Sequence, residues 1–304
     1  MESHLSKNYT LAELEPGWPE DLSVARAKTS PRTHGTMVMS LRRVSRNPEN
    51  SRLYTHGDPI SLIDWKAYAR TDELIMREHR DEASARVAIV LDSGETTRWP
   101  DYREMAAHGG VGEAIQKFEL SARLALYLAH AHLTAGDLVH LGMLDDRGDV
   151  SRVWTPRSPA DVVGLFTTCL QSGFLETIES FMSVANWNGN KFDTQWWISD
   201  FLSEKARPSV WKDIKGLAVI HVFSWLETTT SWMDNSTSYR DQHGGSRTFL
   251  GAQLKESGLW SAELEKWKSR IKKSVLNSGG KYLAVDDRML VGDFFHWLTV
   301  EATR

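Results

Sequence analysis

A single cysteine, Cys169, stands in 304 residues, so the chain can close no internal disulfide and nothing in it calls for an oxidising compartment. No apolar run approaches the roughly 20 residues of a helical membrane span. The opening MESHLSKNYTLAELEPGWPED is too polar for a signal peptide. These absences predict a cytoplasmic protein with no membrane segment of its own. An excess of positive charge is missing too: 36 Lys and Arg face 40 Asp and Glu, which leaves no electrostatic footprint for nucleic acid as the main partner. HExxH, GxSxG, paired cysteines and the Lys-Ser/Thr of a P-loop are all absent; Gly109-Gly110-Val111-Gly112 before a helix is a weak anion-cradle signal. The eleven histidines are scattered, and His130 and His132, two apart on a helix, cannot share a face. Cys169 lies on the apolar side of a predicted helix without an activating neighbour, and reads as core filling rather than a nucleophile.

What is present is enough apolar sequence for one large domain, or one domain with a small appendage. Val87–Leu91 is five apolar residues in a row closed by Asp92, the pattern of a strand buried on both faces of a parallel sheet. Thr194–Ser199 closed by Asp200, Leu217–Phe223 and Tyr282–Val285 repeat it. Between them the spacing predicts helices from Gly112 to about Ala135, over Ala160–Leu170, over Ile178–Val184, around Trp211 and Ile214, and along the face Trp260, Leu264, Trp267, Ile271 and Val275. Asp293–Thr299 reads as a closing helix. Leu138–Leu144 and Val150–Trp154 predict a hairpin turning at 145–148, and Leu74–His79 a further strand. Residues 227–252, rich in Ser, Thr and Gly, read as an exposed hairpin insertion. The sum is an α/β fold: a mostly parallel sheet with helices on both faces.

Before the sheet, residues 1–35 carry turn signals at Pro16, Pro19 and Pro31 and read as a polar arm over the core, with a short helix at 19–27. Residues 36–84 hold the basic cluster Arg42, Arg43, Arg46 and Arg52, and then an unusual block. There Asp58 can cap a helix opened by Pro59, and Asp58, Asp64, Arg70 and Arg77 gather opposite charges near Trp65. These five residues read as a structural clasp packed on the core, with a partner surface as the other reading.

Tyr54, Gly57-Asp58, Ile63-Asp64-Trp65-Lys66, Ala69-Arg70-Thr71 and Leu74, followed by a strand ending in aspartate, resemble the bacterial domain-of-unknown-function family fifty-eight. That resemblance implies a von Willebrand factor A-like, doubly wound domain, here over 85–304, in a short form of the family without its frequent membrane segments. It also implies a non-catalytic adaptor, acting with a MoxR-type AAA+ ATPase and a client protein in assembly or remodelling.

In open parallel sheets ligands bind outside the carboxyl ends of the strands. Asp92 and Asp200 stand at two such ends and Asp286 at a third, where separate loops could offer oxygen ligands to Mg²⁺. The resemblance implies a metal-ion-dependent adhesion site, Asp-x-Ser-x-Ser with a threonine and an aspartate from two further loops. Here the first loop reads Asp92-Ser93-Gly94-Glu95-Thr96. Asp92, Thr96 and Asp200 fit the pattern, Gly94 lacks the first hydroxyl, and Thr177 is the candidate for the second loop. The site is therefore expected to be degenerate, with any divalent cation bound weakly or not at all. The alternative is a phosphoryl-transfer or other Mg-dependent enzyme using Asp92, although Gly94 stands where such an enzyme wants its second acid.

Overall fold

The central strand of the sheet is β3 (Arg86–Asp92), whose residues Val87 to Asp92 are all buried. In this computed structural model the described residues are 9–14, 51–53, 65–77, 85–100, 115–144, 148–184, 187, 191–202, 211, 214, 216–228, 238–240, 248–250 and 258–298. Backbone contacts divide the chain into two units, one of 1–41 with 85–304 and one of 42–84.

The smaller unit holds β1 (Ser51–Leu53), α1 (Trp65–Thr71) and β2 (Ile75–Arg77), and β1 pairs with β2 antiparallel. The strand expected at 74–79 is thus present, but its partner is this local strand.

In the larger unit β3 is followed by α2 (Lys117–Thr134), β4 (Leu138–Leu144), β5 (Val150–Trp154), α3 (Pro159–Ser172), α4 (Phe174–Phe181) and β6 (Ser183–Val184). Then come β7 (Thr194–Ser199), β8 (Leu217–Phe223), α5 (Trp225–Thr228), the hairpin β9 (Ser238–Arg240) and β10 (Thr248–Leu250), α6 (Leu259–Asn277), β11 (Lys281–Asp286) and α7 (Val291–His296). The seven-stranded sheet runs β11-β8-β7-β3-β4-β5-β6. β11, β8, β7, β3 and β4 are parallel, and β5 and β6 extend the sheet antiparallel.

Alternation along the parallel strands builds two cores. Val87, Ile89 and Leu91 face one layer, with Trp196, Ile198, Ile220 and the helices α2, α3 and α4; Val90, Trp197 and Val219 face the other, with Ile271 and Val275 of α6. α2 is buried on most sides, as its apolar double row predicts. Its first turn lies later than the sequence suggests, at Lys117, because Gln116 is extended and holds the N-cap position there. The helix expected over 178–184 ends at Phe181, since Ser183 and Val184 pair with Val153 and Arg152 of β5.

The N-terminal segment 9–14 is no mere cover. Leu11 and Leu14 are fully buried. The Leu11 N–H donates to the Met289 carbonyl (2.8 Å), and an Arg123 guanidinium nitrogen donates to the Leu14 carbonyl (3.2 Å). The helix expected over 19–27 lies outside the described residues.

Candidate functional site

Chain order places a switch point in the sheet. From β3 the chain crosses through α2 to β4 on one side, whereas β7, β8 and β11 extend the sheet on the other. The crevice outside the carboxyl ends of β3 and β7 is where open α/β sheets bind ligands, and Asp92 and Asp200 stand there.

Asp92 is turned inward. Its Oδ1 accepts from the Gly94 N–H (2.9 Å) and its Oδ2 from the Ser199 hydroxyl (2.5 Å), and Ser199 Oγ in turn accepts from the Phe201 N–H (2.8 Å). Phe201 holds a left-handed φ of 51° at this bend, a conformation uncommon outside glycine. Burial first, and the nearby Asp200 charge second, push the Asp92 carboxyl above its ordinary range, against the bonds from Ser199 and Gly94. A side chain at Gly94 would begin 3.1 Å from Asp92 Oδ1, so the missing serine is also a matter of space.

Asp200 ties the loops together. Its Oδ1 accepts from the Thr96 hydroxyl and from the Leu202 N–H, both at 3.1 Å. Its carbonyl lies 2.9 Å from His221 Nε2, while His221 Nδ1 lies 2.8 Å from the Tyr282 hydroxyl. A carbonyl can only accept, so Nε2 carries the proton and Nδ1 accepts from the tyrosine. Burial pulls this imidazole down from 6.5 to about 3, which keeps it neutral.

The other oxygen of Asp200 faces a cation that belongs to the chain. Lys117 Nζ, on the first residue of α2, lies 2.8 Å from Asp200 Oδ2 and 2.7 Å from Glu227 Oε1, and the lysine side chain is only 1% exposed. The contact to Asp200 is an ion pair rather than an aligned hydrogen bond. Glu227 Oε2 accepts from the Ser224 N–H (3.1 Å). Burial alone would lower the ammonium's pKa, but the charges of Asp200 and Glu227 outweigh it and raise it. Burial raises Glu227 in spite of Lys117. Beside the cluster, Asp287 Oδ1 accepts from the Trp225 N–H (2.7 Å), and burial lifts its carboxyl from 3.8 to about 6.

Of the residues singled out from the sequence, Thr96 and Asp200 touch directly, and Asp92 joins them through Ser199. Thr177 does not: it lies inside α4, because Gly173 at φ 89° ends α3 and the chain re-enters a helix at once, leaving no strand-end loop there. Asp286 ends β11, its Oδ1 accepting from the Arg288 N–H (3.0 Å). Among the described residues no three His, Cys, Asp or Glu side chains are grouped to hold a metal ion. Both Asp92 oxygens are already occupied, and two carboxylates converge on an ammonium. This donor set, as arranged, suits a monovalent NH₃⁺ better than a divalent ion.

Of the clasp, Asp58 and Asp64 lie outside the described residues. Trp65 is 56% exposed, its ring edge-on to Tyr68 at 6.1 Å; Arg70 is exposed; Arg77 ends β2. Sequence reasoning missed Lys117 and Glu227. A lysine is disfavoured at a helix N-terminus by the helix dipole, so Lys117 opening an apolar helix was a usable signal. Glu227 lies four residues beyond β8, another carboxyl strand end, but the sequence around it reads as insertion. It is instead held in α5 and buried.

Near the same end of β8 and β11 lies an open hollow of about 430 Å³, lined by Phe223, Lys268, Asp286, Arg288 and Asp293 among others. Among the described residues no helix is long and apolar enough to cross a membrane. No curated protein and no solved structure matches the chain. Residues 50–157, which run from the block around Trp65 through β3 and α2 to the end of β5, match the family model described as "Protein of unknown function DUF58".

Proposed function

We propose that the chain is a non-catalytic, cytoplasmic protein-binding module, an adaptor acting with a MoxR-type AAA+ ATPase on a protein client. The reading is what the resemblance of the block around Trp65 implies; the match over residues 50–157 supports that resemblance, and the von Willebrand A-like form of the fold is proposed with it. The observation that favours it over phosphoryl transfer is the commitment of Asp92. A carboxylate nucleophile must be ionised and open to its substrate. Asp92 is 4% exposed, both oxygens accept hydrogen bonds from the protein, and its carboxyl is pushed toward the neutral form.

Two measurements on the full chain separate the readings. Light scattering after size exclusion, with the purified MoxR-type ATPase of the same genome and ATP, is expected to give a complex, and the ATPase rate is expected to change on mixing. Hydrolysis of a generic aryl phosphate in Mg²⁺ is expected to stay at background. Turnover that disappears in Asp92→Asn, with no complex formed, would replace the adaptor by the enzyme.

A further inference from the structure

We propose that Lys117 is the resident cation of the strand-end site: its tethered ammonium takes the place a divalent ion would need between Asp200 and Glu227, so the protein works without metal here, and removing the ammonium opens a latent divalent-cation site.

The inference rests on placement. The ammonium lies where ligands of open parallel sheets are bound, beyond the ends of β3, β7 and β8 at the switch point. It is buried, and its contacts of 2.8 and 2.7 Å go to carboxylates from two different strand ends, Asp200 on the loop after β7 and Glu227 in α5 after β8. Both segments are then held by it as by an ion. Asp200 also takes the Thr96 hydroxyl from the β3 loop, and Glu227 takes the Ser224 N–H at the end of β8. The segments that follow β3, β7 and β8 are therefore organised around one positive charge carried in from α2. A Trp99 ring 5.7 Å from Nζ adds a further wall to the site.

The arrangement also accounts for the poor match to an adhesion-type metal site. Gly94 offers no hydroxyl, and Asp92 is bonded to Ser199 and Gly94. An ion entering beside Lys117 would meet a fixed charge of its own sign. Without the ammonium the same place would leave two carboxylates unbalanced, with room from the lost side chain for water. One or two carboxylates completed by water is an ordinary way to hold Mg²⁺ or Mn²⁺. This inference does not depend on the adaptor reading, since it is tested by ion uptake and melting alone.

The test uses Mn²⁺ as probe, followed by the loss of its free paramagnetic signal, with thermal melting in Mn²⁺ or EDTA. Wild-type chain is expected to take up no Mn²⁺ saturably and to melt identically in both. Lys117→Ala is expected to gain saturable uptake of one Mn²⁺ per chain, and to melt higher in Mn²⁺ than in EDTA, because the ion binds the folded form only. Adding Asp200→Asn should abolish that uptake. A second variant, Lys117→Met with Glu227→Gln, removes one charge of each sign and is expected to fold in EDTA and to bind Mn²⁺ more weakly. Saturable uptake by wild type would overturn the proposal, as would uptake by Lys117→Ala that survives Asp200→Asn. So would a folded protein from either Lys117 variant that takes up no Mn²⁺, or failure of both variants to fold even in Mn²⁺, since the ion should restore the lost charge.

Discussion

Lys117 sits where three costs coincide: an ammonium out of water, a long side chain fixed in one conformation, and a positive charge at the positive end of a helix dipole. Two carboxylates within 2.8 Å offset them. Removing the cation alone leaves Asp200 and Glu227 buried without a counter-charge, and breaking a desolvated pair in this way costs about 3–5 kcal/mol. Lys117→Met in EDTA is accordingly expected to lower the unfolding free energy by that amount at pH 8, measured in urea. The deficit should shrink toward pH 5, because the Glu227 carboxyl, already raised by burial, takes up a proton more readily once its partner is gone. An equal deficit at both pH values would show that Lys117 acts through packing. Cys169 gives a simpler case. It is 1% exposed and burial pushes its thiol up to about 12, so a disulfide reagent at pH 8 should label it only in denaturant. Rapid labelling of the native chain would contradict its place in the core. Asp92 and Asp200 were legible because each closes an apolar run, a local pattern. Lys117 and Glu227 lie 110 residues apart and define each other only once the sheet has brought their loops together. The local cues, a lysine ahead of an apolar helix and a glutamate four residues past a strand end, do not by themselves say that either side chain is buried.

At the scale of elements, strands buried on both faces announce themselves, and β3, β7, β8 and β11 stand where continuous apolar runs put them. Boundaries depend on less local terms. Val184 left its expected helix for an edge position beside Arg152, and the start of α2 moved to Lys117, whose N–H donates to the Trp99 carbonyl (3.1 Å). Two boundaries can be tested. α3 begins with a reciprocal cap: Asp161 N–H donates to Ser158 Oγ at 3.3 Å, and Ser158 N–H donates to Asp161 Oδ2 at 3.0 Å. Ser158→Ala is expected to cost about 1 kcal/mol, as loss of an exposed N-cap does. Gly216 turns the chain into β8 at φ 59°, and a Cβ there would collide with the Asp193 carbonyl oxygen at the entry to β7. Gly216→Ala should therefore cost more than the roughly 1–3 kcal/mol of a strained backbone alone, because two neighbouring parallel strands must separate at their starts. Denaturant midpoints decide both, and a Gly216→Ala chain as stable as wild type would show that this turn relaxes freely.

For the whole molecule, the buried titratable groups set an acid response with two opposing parts. His221 is held near 3 when folded against 6.5 when unfolded. Between those values the unfolded chain binds the extra proton, so the stability His221 contributes is complete above pH 6.5 and is lost as pH falls toward 3. Asp287 is raised to about 6 from 3.8, so here the folded chain binds the extra proton, and its contribution is present below 3.8 and lost as pH rises through 6. Asp92 and Glu227, also raised, act in the same sense as Asp287. Lys117, raised from 10.5, contributes on the alkaline side, where its stabilisation is kept below 10.5 and lost at higher pH. From pH 6 to 4 the carboxyls therefore blunt the loss that the imidazole causes. Asp287→Asn removes one of these brakes while keeping a carbonyl to accept the Trp225 N–H. Its stability, followed by urea unfolding at pH 4, 5, 6 and 7, is expected to fall between pH 6 and 4 by about 1–2 kcal/mol more than that of wild type. Parallel curves for the two proteins would mean that Asp287 is already ionised in the folded chain at pH 4.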